Sequence, residues 1–158
     1  MSTDYDRPLP RFYSDGSREF YQAAKNHELR IQQCAECDRF RFPPQPMCPD
    51  CHCLESRWTP VSGRGTVHTF TIVHHFEPRS VPMFTWPADR YPIVVVIVEL
   101  PDADGVHVVS NIVDCAPGDI HVGMAVEVVF RDVTDEVTLP AFRPAGAIDA
   151  EPMTDRPN

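Results

Sequence analysis

The sequence of 158 residues has no long apolar run. Its longest, Ile93–Val98, is a strand length, far short of the roughly eighteen residues that cross a membrane as a helix. The N-terminus, MSTDYDRPLP, lacks a basic segment followed by an apolar core, so no secretory signal is read and a reducing cytoplasm is the expected compartment. There, clustered cysteines bind metal more often than they form disulfides. Lysine is nearly missing: Lys25 is the single one, and arginine supplies the remaining positive charge. Positive charge is scarce in the C-terminal part. Residues 1–65 hold nine Lys/Arg against nine Asp/Glu, whereas residues 66–158 hold five against fourteen, so the formal charge of −9 sits entirely there. An acidic domain repels phosphate backbones, which argues against a nucleic-acid partner.

Catalytic patterns are also missing. G-x-S-x-G, the phosphate-binding P-loop, H-E-x-x-H and G-x-G-x-x-G do not occur, and SGRG (62–65) is too short for a phosphate cradle. His74 and His75 are adjacent at a strand end and face opposite ways. His68 lies six residues before His74, about 20 Å away along a regular strand, too far to share a site. His107 and His121 fall in a strand and a turn, and Asp102, Asp104, Asp135 and Glu136 fall at turns, where solvated carboxylates are ordinary. Nothing reads as an autonomous active site.

What is present is a globular composition, 42% hydrophobic and 23% charged, sized for one domain or one domain plus a small module. An arm precedes SDGSREFYQAAKNHELR (14–30), which suits one helix with Phe20, Tyr21 and Ala24 on one face and Ser14, Asp15 or Ser17 as its cap. A cysteine module then runs from Ile31 to near Trp58, and SGRG joins it to a region of period two. Thr66–His75 alternates there, with Val67, Thr69, Thr71 and Val73 on one side. Ile93–Leu100 is a buried-type strand, and Val106–Ile112 follows across a DADG turn. Val126–Val133 and Val137–Phe142 complete five short strands without crossover helices, which predicts a mainly β chain closing into a small barrel. The expected division is an arm and helix over 1–29, the ribbon over 30–57, the barrel over 58–144 and a disordered tail over 145–158.

Two Cys-x-x-Cys knuckles, Cys34/Cys37 and Cys48/Cys51, are separated by ten residues. Four thiolates in two chelating pairs fit a tetrahedral ion, with zinc expected and iron the lesser alternative. Four cysteines fill the coordination sphere, so the ion is expected to be structural. Asp38 and His52, each following the second cysteine of a knuckle, occupy positions that favour a left-handed backbone. Cys53 reads as a bystander thiol with a spare-ligand alternative, and Cys115 as a small core or loop residue.

The order of helix, ribbon and barrel resembles the DUF35 family of zinc-ribbon/OB-fold proteins. The resemblance is carried by REFYQAAKNHELRIQQCAECDRFRFPPQPMCPDC, WTPVSGRGTVHTFTIVH, YPIVVVIVEL, VVSNIVDC, GMAVEVVFRDV and LPAFRP, across residues 12–144. It implies a rubredoxin-like zinc ribbon and a five-stranded OB-fold barrel. It further implies an accessory subunit, not a catalyst alone, of a thiolase-like (lipid-transfer-protein type) aldolase or thiolase that cleaves acyl-CoA carbon–carbon bonds in steroid side-chain or aromatic-acid degradation. Some relatives carry a MaoC-like hydratase domain. No such extension is seen here, so a hydratase partner is expected as a separate polypeptide.

The ribbon tip, with Phe40, Phe42, Pro43 and Pro44, either packs on the barrel or anchors a partner. PMFTWP (82–87) is a second contact candidate. No residue is assigned to CoA, although Arg39, Arg41 and Arg64 have the charge for its phosphates. Two other classes of function stand beside this one: a single-strand nucleic-acid-binding OB protein, and a stand-alone enzyme acting on acyl-CoA esters.

Overall fold

The computed structural model describes residues 9–10, 15–74 and 91–146. The Ser14 cap, His75, the PMFTWP segment and the tail from 147 onward lie outside the described residues. The first element is the helix α1 (Asp15–Lys25), shorter than the expected 14–30. Phe20, Ala23 and Ala24 form its buried face. It stops because His27 adopts a left-handed φ of 56°, and the amides of Asn26 and His27 close on the carbonyls of Ala23 and Ala24. Past that stop the period becomes two. Leu29 and Ile31 both enter the core at 3% and 0% exposure, which a continued helix would have pointed in different directions.

The ribbon is a three-stranded antiparallel sheet of β1 (Arg30–Cys34), β2 (Phe40–Arg41) and β3 (Ser56–Pro60), with β1 central. Part of its interior is polar. Gln32 Oε1 accepts from Arg41 Nε and from the Gln45 amide, both at 2.9 Å, while Gln32 Nε2 donates to Ser56 Oγ at 3.0 Å. One glutamine thereby ties all three strands and the tip loop. Arg41, weighed above as a surface charge for phosphate, is buried in this network.

The second sheet contains β4 (Arg64–Val73), β5 (Ile93–Leu100), β6 (Val106–Asn111), β7 (Ala125–Asp132) and β8 (Thr138–Pro144). Its order is β6-β5-β4-β7-β8, with each adjacent pair antiparallel. The sheet curls so that its two ends meet: Ile112 forms a parallel bridge with Phe142, and Val113 N–H donates to the Phe142 carbonyl at 2.8 Å. A meander of three strands, then two more closing by a parallel contact, is the OB-fold topology. Val67, Val96, Val98, Leu100, Val108, Val126 and Phe142 fill the interior, each at 2% exposure or less.

Alternation in β4 is broken, which corrects the expected single face of Val67, Thr69, Thr71 and Val73. The register against β5 shifts between Val67 and Thr69, leaving His68 as the extra residue. Gly65 and Val67 point inward before the shift. After it the more buried positions are Phe70 and Ile72, while Thr69 and Thr71 are exposed. At Gly65 a Cβ would stand 2.4 Å from the Glu99 carbonyl oxygen, so β4 and β5 approach there as only glycine permits.

The DADG turn is more than a solvated loop. Asp102 Oδ2 accepts the Ser62 amide at 2.7 Å, and Asp104 Oδ2 faces the Phe40 amide at 3.4 Å. The β5–β6 turn of the barrel thus holds both the linker and the ribbon.

Candidate functional site

Each cysteine knuckle is a turn that aims amides back at its own first sulfur. The Cys37 amide, and more weakly that of Glu36, points at Cys34 Sγ and holds that thiol down to about 6. At the second knuckle the Cys51 amide does the same for Cys48, also lowering it. The second cysteines behave oppositely. The Arg39 amide pulls Cys37 down, but burial and the neighbouring thiols outweigh it and raise the group. At Cys51 the Cys53 amide is outweighed by the Cys34 sulfur, burial and the other two thiols, which push it up to about 12. Negative charge is therefore welcome at the first sulfur of each knuckle. Four thiolates together require a cation between them.

The sulfurs are spaced for one. Cys34 Sγ lies 3.5 Å from Cys51 Sγ, and Cys37 Sγ lies 3.6 Å from Cys48 Sγ; all four lie within 4.8 Å of one another. A disulfide would need about 2.05 Å. A tetrahedron of sulfurs at about 2.3 Å from a central zinc has edges of about 3.8 Å. The donor set, its spacing and its amide-lined turns fit a metal ion of the thiolate-loving class. Asp38 and His52 adopt φ of 60° and 62°, the left-handed conformation expected after each knuckle. His52 takes it without glycine's freedom, and its amide bonds the Cys48 carbonyl at 3.0 Å.

Cys53 is not in the cluster. Its sulfur accepts the Glu55 amide at 3.3 Å, and although that contact lowers the thiol, burial and the nearby Cys34 raise it overall. Cys115 packs against the core in the loop after β6, where burial raises its thiol.

At the ribbon tip Phe40 and Phe42 turn inward and pack against the core cluster. The Phe42 ring meets Phe20 of α1 at 5.3 Å. Pro44 packs on Gly16, where a Cβ would stand 2.7 Å from Pro44 Cβ. Pro43 is exposed. Beside the tip, Met47 and Leu54 are 45% and 70% exposed. An open groove between α1 and the ribbon is lined by Glu19, Pro44, Leu54 and Trp58. Of the arginines with the charge for CoA phosphates, Arg39 faces Asp50 at 3.6 Å, Arg41 is buried, and Arg64 is exposed.

A second gathering of ligating side chains escaped the sequence reading. His68, Glu99 and His107, from β4, β5 and β6, bring one ligand atom each to within 4.8 Å of the others. Glu99 and His107 are directly paired across the β5–β6 hairpin, a relation that counting outward from the DADG turn would have given. The shift at His68 has no local pattern to reveal it. His121 is apart, with Nδ1 on the Asp119 carbonyl at 3.1 Å.

Comparison with known proteins follows this division. Residues 22–53 match the rubredoxin-like zinc ribbon domain of ChsH2, and residues 58–131 match the ChsH2 C-terminal OB-fold domain. A probable enoyl-CoA hydratase alpha subunit from Thermomonospora curvata is 37% identical over 88% of this chain and 40% of its own length. A DUF35 domain-containing scaffold protein from Methanothermobacter thermautotrophicus is 32% identical over 75% of this chain and 84% of its own length. The 3-oxo-4,17-pregnadiene-20-carboxyl-CoA hydratase alpha subunit of Mycobacterium tuberculosis is 33% identical over 73% of this chain and 34% of its length. The chain thus spans well under half of the two hydratase-named relatives. Among solved structures, a chain of the Ltp2-ChsH2(DUF35) aldolase is 35% identical, with a TM-score of 0.73 over 88% of this chain and 99% of that one. Ribbon, barrel and relatives converge on one assignment: the chain belongs to the DUF35 family, with a zinc ribbon and an OB-fold of the ChsH2 type.

Proposed function

We propose that this chain is a non-catalytic subunit of an acyl-CoA-processing assembly. Its partner is a thiolase-like chain of the lipid-transfer-protein type that performs the carbon–carbon cleavage, retro-aldol or thiolytic. One observation carries the reading: the likeness at 35% identity covers 99% of the DUF35 chain in an aldolase named for both components. A bulky acyl-CoA of the steroid side-chain type is the substrate class supported by the name of the mycobacterial relative.

Within this reading, residues 30–57 are the docking ribbon and residues 58–144 the barrel. Cys34, Cys37, Cys48 and Cys51 hold a structural Zn²⁺, which leaves no open position for chemistry and fixes the hairpin. The tip, Phe40, Phe42, Pro43 and Pro44, belongs to the partner-facing surface. Phe42 and Pro44 anchor it to α1 and Phe40 packs on the core, Pro43 lies on its outer side, and the exposed Met47 and Leu54 nearby support the placement.

Co-expression with a thiolase-like subunit tests the proposal. The expected result is one co-eluting complex that cleaves a β-hydroxyacyl-CoA, with neither chain active alone. Two soluble chains that never co-elute, or full turnover by the thiolase-like chain alone, would overturn it. The identity to hydratase alpha subunits supports a second reading, association with a separate MaoC-like hydratase chain. Enoyl-CoA hydration gained only on adding that chain separates the two.

A further inference from the structure

On the outer face of the barrel, three neighbouring strands each contribute one ligating side chain to a single point. Glu99 is central: its Oε2 lies 3.6 Å from His68 Nδ1 and 3.9 Å from His107 Nε2. The two imidazoles approach each other with centroids 4.1 Å apart and planes tilted by 34°. Register explains why they meet. Glu99 pairs directly with His107 and with Thr66 on the other side. His68 would stand in line two residues beyond Thr66, and the extra residue of the β4 bulge is His68 itself. A bulge of this kind re-aims one side chain and bends its strand locally while pairing resumes on either side.

An ion pair alone accounts poorly for this arrangement. A carboxylate attracts a protonated histidine, but two imidazolium rings at 4.1 Å repel one another. Two neutral imidazole nitrogens and one carboxylate oxygen instead make a donor set for a dication, whose charge offsets the carboxylate and polarises both rings. Around an ion held at about 2.1 Å, neighbouring donors sit about 3.0–3.4 Å apart. The present spacing of 3.6 Å and above closes to that by small side-chain rotations. The side chains have room for them, since His68, Glu99 and His107 are 48%, 44% and 47% exposed.

We propose that His68, Glu99 and His107 form a second metal site, a three-ligand surface site for a late first-row divalent ion such as Zn²⁺ or Ni²⁺. Two imidazoles select this class over Ca²⁺ and Mg²⁺, which take oxygen ligands. Three protein ligands leave at least one coordination position, which points to solvent and is open to water or to a donor from outside the chain. The site differs from the cysteine centre in donor chemistry and strand origin, and it stands independently of the proposed aldolase partnership.

The test uses the full chain with its cysteine site already filled with zinc. Titration with Ni²⁺, followed by calorimetry and by paramagnetic broadening of amide resonances, should give one further equivalent. The broadening should centre on residues 66–69, 98–100 and 106–108. His68→Ala and His107→Ala should each weaken that equivalent by at least about tenfold, with unchanged ion content at the cysteines and unchanged circular dichroism. Mg²⁺ should not compete. No further equivalent, an equivalent whose affinity is unmoved in the His68→Ala/His107→Ala double variant, or equal uptake of Mg²⁺ would each overturn the proposal.

Discussion

In the barrel, the eight side chains at 2% exposure or less, Ala103 among them, are all aliphatic or aromatic. In the ribbon, the buried positions from 30 to 57 are Ile31, Gln32, Cys34, Arg41 and Cys48, only one of them a hydrocarbon side chain. The barrel can hold itself by excluding water from a contiguous interior. The ribbon has too little apolar surface for that, and its remaining buried groups are polar or are sulfurs facing one another. Its order rests on directional bonds: a metal–thiolate centre, one glutamine shared by three strands, and Asp104 reaching from the barrel turn to the Phe40 amide. A region stabilised by packing should fail gradually under small insults, whereas one stabilised by a few directional bonds should fail when one of them is removed.

The largest effect should come from the ribbon's centre. Cys37→Ala should release the ion and the order of residues 30–57 while the barrel strands persist, because structural zinc contributes about 10–16 kcal/mol of apparent binding free energy in isolated peptides. Elemental analysis with amide hydrogen exchange checks this, and full occupancy would mean that His52 or Cys53 takes the vacant place. The converse variant, Phe142→Ala, should cost about 3–5 kcal/mol in denaturant melts of the barrel. If the two regions are as different as their interiors, the cysteine centre should keep its ion until the barrel itself unfolds. Gln32→Ala should cost about 1–3 kcal/mol by leaving the buried Arg41 Nε without its acceptor. Faster exchange confined to β1–β3 is the expected readout, and uniform acceleration would blur the contrast.

The smallest effect concerns the clasp between α1 and the barrel. The His27 ring stacks on Phe130, and its Nε2 lies 3.1 Å from Asp132. Thr138, donating to Asp132 at 2.6 Å, and then His27 hold that carboxyl below its ordinary 3.8. A carboxyl lowered on folding stabilises above its unfolded value and loses the contribution as pH falls through the folded one. The melting difference between wild type and Asp132→Asn should therefore be largest near neutrality and shrink below pH 4. Because Asp132 is 61% exposed, the difference should be slight throughout. A gap that widens in acid would contradict the assignment.

The parts legible in the sequence were those encoded locally. Chelating cysteines announce themselves by spacing, and the left-handed positions at Asp38 and His52 follow from it. Ile93–Leu100 occupies its expected bounds because a buried strand between turn residues has few alternatives. What escaped depends on which strands lie side by side. Arg41 looked like surface charge because its acceptors come from residues nine and four positions away across a sheet and a loop. Asp102 and Asp104 looked like ordinary turn acids because the amides they meet, Ser62 of the linker and Phe40 of the ribbon, lie far away in sequence. The helix was drawn too long because NHELR is helix-compatible, and only the demand that Leu29 and Ile31 both enter the core ends it.

The step in β4 can be viewed as an insertion. Without His68 the strand would run Arg64-Gly65-Thr66-Val67-Thr69-Phe70-Thr71-Ile72-Val73, an unbroken two-residue rhythm with Gly65, Val67, Phe70 and Ile72 all inward. The extra residue interrupts that rhythm, and a chain lacking it would pair β4 with β5 more regularly. The fold accommodates an extra histidine at a point on this central strand where it looks across at a glutamate and a second histidine.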